Sequence, residues 1–221
     1  MARIPKIARQ LWPYVARIGH VHRIKKTIKQ GKQHLNLGCQ TNIIADWVNV
    51  DIMPFPGAIY MDATKPWPIA AGTLDAILCE HMIEHVPKDA AKFVLREAAK
   101  SLRPGCPIRI VTPSLNSFAE MALSPSSERA ETYRAFYRSR NPGDASICDV
   151  VNSIFYEYGH RYIFSAEELR IMLLEVGFKD VVESRPGTAI ASVFADKEGH
   201  PALLGEEVNA IEAFALEATK A

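Results

Sequence analysis

The 221-residue chain lacks several features, and each absence removes a class of protein. No apolar run approaches the roughly 20 residues that a membrane-spanning helix needs. The N-terminus has neither the apolar stretch nor the small-residue cleavage site of a secretory signal, so the expected location is the cytoplasm. Only four cysteines are present, Cys39, Cys79, Cys106 and Cys148, with no C-x-x-C pair and no Cys/His cluster. A disulfide framework and a zinc site are therefore not expected, and no metal is assigned. The G-x-G-x-x-G turn of a dinucleotide site is missing, and only 13 residues separate Gly38 from Asp51, which argues against a nicotinamide dehydrogenase. There is no internal repeat and no low-complexity tract.

Acid is missing from one stretch. Residues 1–32 carry nine basic side chains, Arg3, Lys6, Arg9, Arg17, Arg23, Lys25, Lys26, Lys29 and Lys32, and no Asp or Glu. The remaining residues hold 17 basic against 25 acidic groups, so a net charge of +1 hides a basic arm on an acidic domain spanning 33–221. Such an arm suits an anionic membrane surface, peripheral to the inner membrane, and no nucleic acid is expected. The competing reading is a solvated helical face that packs Ile4, Ile7, Leu11, Val15 and Ile18 on the domain.

What is present is an alternation of short β-rich runs with helical patterns, the order of a mostly parallel sheet covered by helices. Strands are expected at His34 to Gly38, Trp47 to Asp51, Ala58 to Asp62, Leu74 to Cys79 and Pro107 to Thr112. Lys179 to Ser184 and Ala189 to Ala195 would bring the number to seven, leaving Ala202 to Ala221 as an amphipathic tail. The fold class is thus α/β, a Rossmann-like doubly wound seven-stranded sheet. Pro87 suits a first helical position ahead of the stripe Ala91, Val94, Leu95, Ala98 and Leu102. Ser165 with Glu168 spells a capping box, and Gly177 a helix stop. Residues 113–157 break the alternation and read as a helical insertion after strand five, placed to cover a ligand as an acceptor-binding cap.

In open α/β sheets ligands lie beyond the carboxyl ends of the strands. Strand one ends in Gly38-Cys39-Gln40-Thr41, where small residues let a ligand approach the main chain. Strand two ends in Asp51-Ile52, whose carboxylate can accept from both ribose hydroxyls, and strand three in Asp62-Ala63, within reach of an adenine amino group. The strings LNLGCQTNIIADWVNVDI, MDATKPWPI, LDAILCEHMIEHVP, SLRPGCPIRIVTP and YGHRYIFSAEELRIMLLEVGF resemble the small bacterial class I S-adenosylmethionine-dependent methyltransferases found beside polysaccharide-biosynthesis enzymes. That resemblance spans residues 33–195 and implies S-adenosyl-L-methionine as cofactor and a small-molecule or glycan acceptor, foremost a sugar hydroxyl. It places Gly38, Cys39 and Gln40 on the methionine part, Asp51 and Ile52 on the ribose, Asp62 and Ala63 on the adenine, and Glu80 with His81 beside the sulfonium. Where the family has Gly-Cys-Gly this chain has Gly38-Cys39-Gln40, and the side chain at 40 is expected to force φ below zero or crowd the ligand carboxylate, or else to contribute an amide hydrogen bond.

His81, or failing that His160, is the expected general base. Glu84, His85, Tyr158, His160 and Arg161 are the expected acceptor-binding group, although for Glu84 and His85 capping of the next helix is the plainer reading. His81-Met82-Ile83-Glu84-His85 also spells the H-x-x-E-H of inverted zinc peptidases, but that motif needs a continuous helix, and here a strand precedes it and Pro87 follows. Gln40 also leaves open a non-catalytic nucleotide-binding or scaffold protein on the same fold.

Overall fold

The computed structural model describes residues 18–143 and 145–221. Ile4, Ile7, Leu11 and Val15 of the proposed packing face lie outside them, and Ile18, the described end of that face, is 80% exposed. Helix α1 (His20–Lys29) anchors the basic stretch through buried Ile24.

Five parallel strands form the body of the sheet: β1 (His34–Leu37), β2 (Val48–Asp51), β3 (Ile59–Tyr60), β4 (Ala76–Glu80) and β5 (Pro107–Pro113). β6 (Phe178–Ser184) and β7 (Ala213–Lys220) complete a seven-stranded sheet ordered β3-β2-β1-β4-β5-β7-β6, with β7 antiparallel to both neighbours. The order in which the strands are laid down reverses between β1 and β4, and this opens the switch point at which a doubly wound sheet holds its ligand. β2 and β4 are buried along their whole length, as parallel strands covered on both faces must be. Two buried asparagines pair inside the sheet: Asn36 Nδ2 of β1 donates to Asn49 Oδ1 of β2 at 3.0 Å and to Asn42 O at 2.7 Å, tying β1, β2 and the loop after β1 together.

Helix α2 (Lys88–Ser101) buries Ala91, Val94, Leu95 and Ala98 on the sheet, the stripe read from the sequence. Pro87 sits one position earlier than expected, as the N-cap. Helix α6 (Ala166–Glu175) is capped by Ser165, which accepts from Glu168 N, but the reciprocal half of the box is absent. The Glu168 carboxylate is instead taken by Tyr162 Oη and Lys88 Nζ, both of which compete for the same oxygens.

The insertion after β5 is built of α3 (Leu115–Leu123), α4 (Glu128–Arg140) and α5 (Ile147–Tyr156), each capped by a serine side chain. They enclose a second, smaller core of Phe118, Met121, Ala130, Tyr133, Val150 and Ile154, joined by Ile163 and Ile211.

The seventh strand is not where the sequence puts it. Ala189–Ala195 is a loop containing a short 3-10 turn (Ser192–Phe194), because Ile190 N and Ala191 N donate to the Glu217 carboxylate, each at 2.8 Å, instead of to a strand. The expected amphipathic tail is in fact α7 (His200–Leu204), α8 (Glu206–Glu212) and β7. Ala-Phe-Ala-Leu-Glu-Ala has helical propensity, yet between β5 and β6 all six residues are buried, so sheet packing overrides it. Among the described residues no helix is long and apolar enough to cross a membrane.

Candidate functional site

The carboxyl ends of β1, β2 and β4, with the segment after β3, surround a cavity of about 350 Å³. Its walls are mostly apolar, with Leu37, Ile52, Met53, Phe55, Met61, Ala63, Met82 and Val86 contributing. Its polar groups are Gln40, Asp51, Asp62, Thr64, His81 and His85. A second hollow of about 190 Å³ adjoins it, sharing Gly38 and Gln40 and lined further by Cys39, Thr41, Asn42, Glu80, Gly199, His200 and Leu203.

Gly38 makes the turn between the two hollows possible. Its φ is +72°, and a Cβ there would lie 2.4 Å from Met82 Cγ. Gln40 departs from the expectation of a negative φ: it keeps the left-handed turn at +44°, at a cost of about 1–2 kcal/mol for an L residue. The compensation is local, because Gln40 N donates to Asp51 Oδ2 at 2.9 Å. Met53 N holds the other oxygen at 2.7 Å, so the Asp51 carboxylate is fixed at the cavity floor with a lone pair left on each oxygen. Burial raises its pKa, against the backbone N–H groups of Met53, Gln40 and Ile52 and the nearby His85, which lower it. Asp62 keeps one oxygen on Thr64, at 3.0 Å from N and 2.6 Å from the hydroxyl. Cys39 is inert as a nucleophile, since burial pushes its thiol up to about 12.

Glu80 lines the smaller hollow and not the larger one that holds His81. Its carboxylate accepts from Gly199 N at 2.8 Å and His200 N at 2.9 Å, drawing the segment before α7 across the strand ends. No signal in the sequence pointed to His200, a lone histidine between the expected last strand and the expected tail. Its ring stacks on His81 with centroids 3.6 Å apart and 12° between planes. Burial and the neighbouring His81 push the His200 pKa down to about 3.

His81 is buried, in a left-handed turn with φ +47°. Its Nδ1 lies 3.2 Å from Glu84 Oε1, and its Nε2 has no hydrogen-bond partner among the described residues. Burial alone would lower its pKa, but the Glu84 carboxylate outweighs that and raises it. Glu84 is fully enclosed, with Thr112 Oγ1 donating to Oε2 at 3.0 Å. It therefore does not offer itself to a free acceptor, which corrects its placement in the substrate-contacting group. Neither Glu84 nor His85 caps the following helix, which has no side-chain cap; both belong to a 3-10 turn (Ile83–His85). That turn and the φ of His81 also keep the two histidines off any common helical face.

Tyr158, His160 and Arg161 are not part of the cavity wall but come beside it through His85. The His85 and His160 rings are 4.9 Å apart, Tyr158 lies 5.8 Å from His160, and Arg161 N donates to Glu84 O at 2.7 Å. His160 Nδ1 is 2.5 Å from Ile154 O, and burial lowers the pKa of this ring.

Residues 39–110 match a family model described as a methyltransferase domain. That span runs from Cys39, just after the Gly38 turn, into β5 and contains the carboxyl ends of β2, β3 and β4. No curated protein matches the chain. Among solved structures, a Thermotoga maritima protein described as a SAM-dependent methyltransferase is similar at 17% identity, covering 97% of this chain and 99% of its own, with a TM-score of 0.50. A chain from the Haloferax volcanii complex of the Trm112 methyltransferase activator with a methyltransferase is similar at 11% identity over 98% and 95%, with a TM-score of 0.51. A SAM-dependent methyltransferase of Archaeoglobus fulgidus aligns at 17% identity over 90% and 92%, with a TM-score of 0.49. At these identities the likeness to the Thermotoga maritima and Haloferax volcanii chains speaks for the fold alone.

Proposed function

We propose that this S-adenosylmethionine-dependent methyltransferase delivers its methyl group to a hydroxyl of a small-molecule or glycan acceptor, foremost a sugar hydroxyl. The observation that carries the reading is the pairing of His81 with Glu84 on the wall of the cofactor cavity: an imidazole with a buried carboxylate behind Nδ1 and an unpartnered Nε2. A hydroxyl must lose its proton as it is methylated, and this is the arrangement by which a histidine is oriented to take it.

The residues present fit the cofactor. Asp51, nearly buried and rigidly held, has lone pairs for two ribose hydroxyls, and Asp62 with Ala63 would meet the adenine between the apolar walls of the larger hollow. Gly38, Cys39 and Gln40 would hold the methionine part in the smaller hollow, with Glu80 facing its ammonium. When bound, the cofactor supplies an electrophilic methyl on a sulfonium. The protein supplies alignment and a water-poor pocket, which together are worth several kcal/mol. Tyr158, His160 and Arg161 at the His85 side would contact the acceptor. His160 is the weaker candidate for base because it lies outside the cavity wall.

The polysaccharide setting rests on the sequence resemblance, and the basic arm on its charge. Arg23, Lys26 and Lys32 border one open hollow beside Trp47, a surface suited to anionic lipid headgroups. Co-sedimentation with anionic but not neutral vesicles, lost on deleting residues 1–30, is the expected result. The function is tested by presenting sugar, amine and carboxylic acid acceptors with methyl-labelled cofactor. Transfer confined to amines or carboxylates would overturn the hydroxyl assignment.

A further inference from the structure

One cluster beside the cavity shares Glu84 and His160 with that reading but carries a chemistry of its own. Glu84, His85 and His160 each place one ligand-capable atom within 4.8 Å of the others. Both rings spend Nδ1 on a main-chain carbonyl: His160 Nδ1 is 2.5 Å from Ile154 O and His85 Nδ1 is 3.4 Å from Gly159 O. A carbonyl can only accept, so each Nδ1 carries the proton and each Nε2 keeps its lone pair. That tautomer, fixed by a carbonyl behind the ring, is the one found in metal-ligating histidines. The third member is fully buried, and Glu84 Oε1 has only the His81 contact at 3.2 Å, with no directed hydrogen bond. A carboxylate oxygen left without a directed donor in a dry interior costs free energy unless a cation faces it. The strand of chain carrying His160 is tied to the same spot, since Arg161 N and Tyr162 N both donate to Glu84 O, at 2.7 and 3.1 Å.

We propose that Glu84, His85 and His160 form a binding site for one first-row divalent transition-metal ion, opening toward the cavity that His85 also lines. Two imidazole nitrogens and one carboxylate oxygen suit Zn²⁺, Mn²⁺ or Co²⁺, whereas Ca²⁺ and Mg²⁺ prefer all-oxygen sets. Metal–ligand bonds of about 2.1 Å require only a modest inward movement of the three side chains. With three protein ligands, coordination positions remain for water or an acceptor oxygen.

A second trio, His81, His200 and Glu212, also lies within 4.8 Å, but it is a poorer set. Ring-nitrogen lone pairs lie in the ring plane, and the His81 and His200 rings are stacked 12° from parallel. Two lone pairs that run side by side cannot converge on one ion. The H-x-x-E-H pattern thus pairs the wrong histidines: the partner of His85 stands 75 residues on, at His160.

The test reads metal directly and needs no acceptor, so it can fail while methyl transfer stands, and the reverse. Full-length protein stripped with chelator is titrated with Zn²⁺, and with Co²⁺ followed by its visible spectrum. One equivalent should bind with Co²⁺ bands of nitrogen ligation, and His85→Gln and His160→Gln should each weaken binding at least 10-fold with melting temperature retained, while His200→Gln binds as before. No binding, or loss in His200→Gln but not in His160→Gln, overturns the site. Where the two ligand variants fail to fold, the wild-type Co²⁺ spectrum decides: nitrogen-ligated bands support the site, and their absence overturns it.

Discussion

Arg109 and Glu217 face each other across the antiparallel β5–β7 pair, with Arg109 Nη1 2.7 Å from Glu217 Oε1, the guanidinium fully buried and the carboxylate nearly so. Arg109 Nε also donates to Glu198 Oε1 at 2.6 Å, and Nη1 to Ser184 Oγ at 2.8 Å. The guanidinium therefore joins the sheet to the residue just before Gly199, whose N–H reaches Glu80 in the site. Removing one partner from a buried pair leaves the others uncompensated, a loss of about 3–5 kcal/mol. Arg109→Met is expected to lower the urea midpoint accordingly and to weaken cofactor binding as the 198–200 segment loosens. A change within 1 kcal/mol would show that the network is stabilised from elsewhere.

This network also explains why the C-terminal third resisted sequence reading. Glu217 lies in a helix-prone string, and its partners at 109, 190 and 191 are scattered. No local pattern reveals a strand held by a buried ion pair. β1 to β5 were legible because each is a short β-rich run with its own turn chemistry. Asp51 and Asp62 were legible for a related reason, since topology alone sends strand ends to the switch point. Glu84 was misjudged because burial is a property of what packs over it, here Thr112 and the 161–162 segment.

Gly38 tolerates no side chain, on two independent counts. Its left-handed φ disfavours an L residue, and the space beside it belongs to Met82. Gly38→Ala should cost more than the 1–2 kcal/mol of backbone strain alone and displace Met82 from between the two hollows. The double variant Gly38→Ala, Met82→Ala relieves the clash and should recover part of the loss in a thermal melt. If the two changes are simply additive, the contact does not matter.

Asp51 and Asp62 differ in how much they are held, and the effects should differ with them. Asp51→Ala strips a nearly buried acceptor and also frees Gln40 N and Met53 N, whereas Asp62→Ala releases only Thr64. Each is expected to weaken S-adenosylhomocysteine binding by about 1–3 kcal/mol, with Asp51 at the upper end. Calorimetry on folded variants reads this, and unchanged affinity in both would remove them from the site.

His200 should make the fold acid-sensitive. Its pKa falls from 6.5 to about 3 on folding, under the influence of burial and the neighbouring His81. The unfolded chain therefore takes up this proton first as pH drops, so stability is complete above 6.5 and declines from there toward 3. His81, whose pKa is raised, works in the opposite sense, and the comparison must isolate His200. The urea midpoint of wild type is expected to fall more between about pH 7 and pH 5 than that of His200→Gln. Parallel curves for the two proteins would refute the assignment.

The most direct examination of the proposed chemistry is at His81, which has three separable contacts: Glu84 behind it, His200 on its face and the cavity at its side. His81→Asn keeps a polar side chain of similar reach but cannot carry a proton away from a hydroxyl. Loss of a positioned general base costs about 10²–10⁴ in rate. A turnover decrease of that size is therefore expected, with S-adenosylhomocysteine affinity nearly intact because Asp51 and the Gly38 turn are untouched. The Glu84→Gln variant separates orientation from proton transfer. It keeps an oxygen beside Nδ1 but removes the charge, and should lower kcat less than His81→Asn while leaving KM for the acceptor close to wild type. If both variants turn over normally, alignment of acceptor and methyl is sufficient and the imidazole is only a wall. If His81→Asn instead loses cofactor binding and turnover together, the ring supports the cavity and the base must be sought elsewhere.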